Sequence, residues 1–161
     1  MKPFIGIKKI WYGDVITTAV TKSSLKTWLG TATEVENSHQ DTWAYTEDDP
    51  TYTDYINELN GSVYYRDVTQ KGAKTIAFTM GVFSFDDKVD LEGGEKIDTD
   101  AGWASSDTPG IVNKAIVGQT KTGNYIVFTN AAVIAKGNAV EKNIGLGITA
   151  VAMENPNSGV K

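Results

Sequence analysis

The side chains of this chain that could do chemistry are carboxylates and a single imidazole. His39 is the only histidine and cysteine is absent, so thiolate sites, His-rich metal sites and disulfides cannot be built. A Ser-His-Asp triad would have to use His39, which stands in SHQD between polar neighbours and reads as a solvated loop residue. Asp86, Asp87, Asp90 and Glu92, followed by Glu95, Asp98 and Asp100, could offer oxygens to Ca²⁺, which takes about six to eight. Their spacing misses the glycine and closing glutamate of the helix–loop–helix calcium motif, so the expectation is a solvated acidic loop. Glu47, Asp48 and Asp49 are adjacent. Neighbours on a strand point to opposite faces, whereas a glycosidase pair must face across a cleft. Gly93-Gly94 lacks the helix and lysine of a phosphate loop and reads as a backbone turn. No catalytic residue, cofactor or metal ligand is assigned.

Aromatic residues offer a binding alternative. Trp11, Trp28, Trp43 and Trp103 could form a sugar-stacking platform, or could plug the ends of a β-sandwich, each burying roughly 150–250 Å². The first option describes a carbohydrate- or surface-binding β-sandwich module of a gut bacterium.

The elements that must position these residues read mainly as strands. Residues 4–10 and 15–20 are β-rich and flank Gly13-Asp14, a plausible two-residue hairpin turn. Residues 21–29 read as an irregular connection anchored by Trp28 and stopped by Gly30. Residues 42–46 and 51–56 are aromatic and β-branched around Glu47-Asp48-Asp49-Pro50, an acidic hairpin tip. Residues 62–68 form a further strand, turned back by residues 71–74. Ile76, Phe78, Met80 and Val82 then share one face, and the shift of phase to Phe83 and Phe85 predicts a bulge near Gly81. Residues 86–110 read as a surface loop held by Trp103, with a short helix over 87–91 ended by Gly93-Gly94. Residues 114–121 and 125–129 form a hairpin around Thr122-Gly123-Asn124, and a short polar loop leads to a last strand over 144–153. Such a chain predicts one domain over residues 1–161, an antiparallel sandwich or barrel.

Composition agrees: 161 residues, 40% hydrophobic and 22% charged, fit one soluble domain with one core. With Asp+Glu 20 against Lys+Arg 15, the net charge of −5 argues against a nucleic-acid-binding module. No signal peptide and no stretch of the roughly 20 apolar residues of a membrane span is visible, which points to synthesis in a cytoplasm.

Several of these segments together resemble the major tail tube proteins of tailed bacteriophages. They are TEDDPTYTDYINE, TIAFTMG, LEGGE and GW, then KAIVGQT, TGNYIVFTNA and EKNIGLGITAVAMEN, in that order from about residue 34 to the end. The likeness is greatest to the gut-bacteroidete branch, and it rests on order and spacing rather than on one motif. The resemblance implies a fold shared with the tube of type VI secretion: a β-sandwich or barrel with one flanking helix and a projecting hairpin. It implies six subunits per ring and stacked rings forming a tube through which DNA passes without specific binding. Partners would be further copies of the chain and the tape-measure and terminator or baseplate proteins, with the product in the virion tail. The flanking helix would lie in residues 86–103, and the hairpin over 42–55 would touch a neighbouring ring through Asp48, Asp49, Pro50, Tyr52 and Tyr55. Small residues at Gly118, Gly145, Gly147 and Thr149 would let strands of neighbouring subunits approach closely. An acidic chain suits a lumen that must not grip phosphates.

Overall fold

Short turns and period-2 runs give strands, and in a computed structural model of the chain strands dominate. Residues 1–99, 101–107, 110–157 and 159–160 are described. The elements in order are β1 (Lys9–Gly13), α1 (Lys22–Thr31), β2 (Thr33–Glu34), β3 (Ala44–Glu47), β4 (Thr51–Ile56), β5 (Val63–Gln70) and β6 (Lys74–Met80). There follow α2 (Phe85–Glu92), β7 (Glu95–Ile97), β8 (Gly102–Ala104), β9 (Val112–Gln119), β10 (Tyr125–Val140) and β11 (Asn143–Ala152). Among the described residues seven strands form one sheet in the order β2-β1-β9-β10-β11-β6-β3, while β4–β5 and β7–β8 are separate pairs. Every pairing is antiparallel. The fold is mainly β and sandwich-like, and the sheet does not close into a barrel.

The large sheet curls over its own core. Three strand spacings of about 4.8 Å separate β3 from β10, yet the rings of Tyr45 and Phe128 lie 6.3 Å apart. Trp43 packs on Phe78 at 6.3 Å and its ring reaches Gly118 of β9. Inside the curl sit Ile10, Ile76, Phe78, Ile116, Phe128 and Ile148, all buried. The curl is eased by an irregularity in β10 between Phe128 and Ala131. There Ile16 N–H donates to the Thr129 carbonyl, and Asn130 Nδ2 donates to the Glu154 carbonyl.

Several strands follow the expected phase. Ile76, Phe78 and Met80 point inward together, the hairpin between β9 and β10 turns at residues 120–124, and Leu146, Ile148 and Ala150 line the core from β11. The helix expected over 87–91 is α2, ended by Gly93 in the left-handed region at φ 91. Trp103 Nε1 donates to the Gly93 carbonyl, so it anchors this segment as expected, though β7 and β8 form a small hairpin within it.

Five local expectations are corrected. No hairpin forms at Gly13-Asp14: β1 already has β2 and β9 on its two sides, so residues 15–20 have no edge to pair with. Residues 4–8 form no strand: the Ile5 carbonyl accepts from Lys121 N–H in the β9–β10 turn and Lys8 N–H donates to the Gln119 carbonyl of β9, while Gly6 between them turns the chain at φ 59. Residues 21–29 are not irregular but belong to α1. Thr21 and Ser24 cap it reciprocally, Ser24 N–H to Thr21 Oγ1 at 3.1 Å and Thr21 N–H to Ser24 Oγ at 2.8 Å. Gly30 sits in the last turn, where the helix is ending anyway. The phase shift after Met80 is no bulge, because β6 stops there and Ser84 caps α2. The polar loop expected before the last strand is instead the far half of β10, turned at Glu141-Lys142 with φ 48 and 69. Gly118, Gly145 and Gly147 give close approach within the subunit, to Trp43, to the Met80 carbonyl and to Asn138 respectively.

Candidate assembly surface

β4 and β5 form a two-stranded ribbon that leaves the sheet. Their sequences TYTDYI and VYYRDVTQ are β-branched and aromatic but show no apolar face set against a polar one. Ordinary strands alternate because one face is buried; here neither face is. The ribbon continues the β3–β6 pair, whose last rung is Glu47↔Lys74 with an ion pair of 3.0 Å. Glu47 beside it raises the Lys74 ammonium above its ordinary value. Beyond that rung Asp48 N–H donates to the Ala73 carbonyl at 2.9 Å, and pairing resumes at Thr51↔Gln70. At this waist a Cβ on Gly72 would overlap the Asp48 carbonyl, so a larger residue would push the two arms apart.

The hairpin tip therefore lies elsewhere than expected. Residues 42–46 and 51–56 belong to different sheets, and Asp48, Asp49 and Pro50 sit at the waist, not at a tip. The true tip is residues 57–62. Asn57 N–H donates to the Ser62 carbonyl, Gly61 N–H to the Asn57 carbonyl, and Leu59 N–H to Asn57 Oδ1, with Gly61 at φ 72. This ordered turn presents Leu59 to solvent at 95% exposure.

Two side-chain clusters fix the register of the ribbon. On one face Arg66 stacks 3.9 Å from the Tyr52 ring and holds Asp54 in a fork, Nε to Oδ1 at 2.6 Å and Nη2 to Oδ2 at 3.0 Å. That hydrogen bond from Arg66 lowers the Asp54 carboxyl below its ordinary value. On the other face the rings of Tyr55 and Tyr65, directly paired across the strands, lie 5.8 Å apart. Tyr52 and Tyr55 thus point to opposite faces, and both are exposed. Ile56, Leu59, Val63, Tyr64, Tyr65 and Val68 are exposed with them; the strand expected over 62–68 is β5, and its exposure on both faces is signalled only by its missing alternation.

Charge follows the same surface. Residues 47–70 hold Glu47, Asp48, Asp49, Asp54, Glu58 and Asp67 against Arg66. That net of −5 equals the net of the whole chain, so the remaining residues balance at 14 acidic (20 less 6) and 14 basic (15 less 1).

Several of the other candidates have partners of their own. Asp86 pairs with Lys96 at 2.8 Å and Glu92 with Lys88 at 2.6 Å, and Asp100 lies outside the described residues. Among the described residues no group of three His, Asp or Glu is arranged to hold a metal ion. His39 Nε2 lies 3.8 Å from a Glu141 carboxylate oxygen. The four tryptophans occupy separate settings: Trp11 buried in β1, Trp28 over Gly13, Trp43 against the core, and Trp103 under Lys88 at 4.2 Å.

Asp87 accepts the Tyr12 hydroxyl at 2.5 Å, bridging α2 to β1. Burial first, then this hydrogen bond and the Asp87 and Asp90 charges, hold the Tyr12 phenol well above its ordinary value of 10.0. A raised folded pKa gives stability that is complete below the unfolded value and declines above it. Stability should therefore fall from pH 10 upward, by at most about 1.4 kcal/mol per pH unit from this group. Tyr12→Phe should cost about 1–2 kcal/mol at neutral pH and flatten that alkaline decline, as read from urea midpoints across pH.

No helix among the described residues is long and apolar enough to cross a membrane. The chain matches no known family model, and no curated protein matches it either.

Proposed function

We propose that this chain is a structural protein that assembles with copies of itself into stacked hexameric rings, the tail tube of a bacteriophage. The observation that carries this reading is the β4–β5 ribbon, with eight large apolar side chains exposed on two faces. A two-stranded ribbon is marginal alone in water, and an apolar patch of this extent ordinarily marks a protein interface. The free edge of β3, four residues long, adds backbone groups to which a neighbouring strand can pair. DNA would travel along the lumen without being held. The tape-measure and terminator or baseplate proteins would meet the ends, and the product would reside in the virion tail. Purified full-length chain, raised in concentration and viewed by negative-stain microscopy beside sedimentation velocity, should give six-membered rings or tubes. A strict monomer at every concentration would overturn the reading.

A further inference from the structure

We infer that the ribbon of one copy docks on the α1 face of a second copy; this rests on the self-assembly reading above. Helix α1 is unusual in burying none of its residues, although a surface helix normally hides an apolar stripe. Its main seat is Trp28, whose Nε1 donates to the Asp14 carbonyl at 2.9 Å. Beside that seat Leu25 and Leu29 face Tyr125 of β10 across a groove of about 510 Å³, rimmed by Lys22 and Lys26. The lysines are four residues apart and so stand on one side of the helix. No carboxylate occurs in α1, and neither lysine joins an ion pair among the described residues.

The ribbon is the complement of this surface in both respects. It is acidic, with Asp54, Glu58 and Asp67 against Arg66 and with Asp48 and Asp49 at its waist, and its tyrosine pair, Tyr55 and Tyr65, stands between Glu58 toward the tip and Asp67 toward the base. A tyrosine offers an apolar ring for the groove and a hydroxyl for its wet rim. The contact must be between copies. Within one copy nothing covers the ribbon: its side chains are exposed throughout apart from Asp54 and Asn57. Two different surfaces meeting head to tail make a heterologous interface, which closes into a ring or propagates as a stack.

Charge reversal tests the pairing. Lys22→Glu with Lys26→Glu should raise the concentration needed for assembly by about tenfold or more, while melting of the monomer stays unchanged because both sites are exposed. Adding Glu58→Lys and Asp67→Lys to the same chain should restore assembly. Separately, Leu25→Cys and Tyr55→Cys chains, one tagged and each the only cysteine in its chain, should form a mixed disulfide when co-assembled. If rings form equally well with the reversed lysines, or the second reversal does not restore them, the docking site is wrong while self-assembly stands. If the wild-type chain forms no particles at all, both readings fall.

Discussion

Replacing residues 49–72 by an Asn-Gly turn should give a folded domain that no longer assembles. The β3–β6 pair is complete without the ribbon: its rungs run from Ala44↔Ala77 to Glu47↔Lys74, and Asp48 N–H already bonds the Ala73 carbonyl. Asn-Gly favours the two-residue turn that closes such a pair. No member of the core cluster lies between Trp43 and Ile76, so the excision opens no cavity. Shortening the connection from 24 residues to two is worth up to about 2 kcal/mol in loop closure by chain statistics, a gain offset in part because the ribbon is itself ordered. The shortened monomer should thus melt within a few degrees of the full chain, while rings disappear from sedimentation and micrographs. Rings that persist would remove the ribbon from assembly. A domain that fails to fold would show that the ribbon supports the sheet.

Placing the acid surplus in residues 47–70, the ribbon with its waist, changes an electrostatic expectation. Net charge alone suggests a wall that repels phosphates, but outside residues 47–70 the chain is balanced. In the proposed tube, repulsion of DNA would then depend on where individual charges of the sheet point, not on their sum. The surplus instead favours association with a basic surface, which screening over about 8 Å at physiological salt makes sensitive to ionic strength.

What the sequence discloses depends on whether a signal is local. The strand at 75–80 is legible because Ile76, Phe78 and Met80 need one buried face, and α2 because Ser84 and Gly93 bracket it. The cap of α1 is equally local, but Thr21 and Ser24 make a weaker signature than one closed by Glu, and Gly30 argues against it. The first hairpin looks sound locally and fails only because β9, a hundred residues away, takes the edge it would need. The ribbon is misplaced for a similar reason: Pro50 and three carboxylates look like a tip, yet β3 finds β6 and β4 finds β5. Tyr52 and Tyr55 are recognisable as surface aromatics from their own run. Tyr65 and Val68, which complete the surface, depend on the pairing.

Leu91→Ala should be the most damaging single truncation among the helical residues, because Leu91 is the one fully buried residue of the two described helices. FDDKVDLE has only Leu91 buried, at 1% exposure, where it joins the core beneath the sheet. Losing its three outer carbons removes transfer energy and leaves a void that a sheet already curled on itself cannot collapse. The expected cost is about 2–5 kcal/mol. For a domain of this size each kcal/mol lowers Tm by about 2–4 °C, so a fall on the order of 10 °C is expected in calorimetry. Leu59→Ala is the control, the same chemistry at a site 95% exposed, and should change stability by less than about 0.5 kcal/mol. The two variants should separate again in assembly: Leu91→Ala, held below its lowered Tm, keeps the ribbon and should still form rings. A loss under about 1 kcal/mol at Leu91 would mean that α2 merely rests on the sheet, and its bridge through Asp87 to Tyr12 would then be its principal attachment.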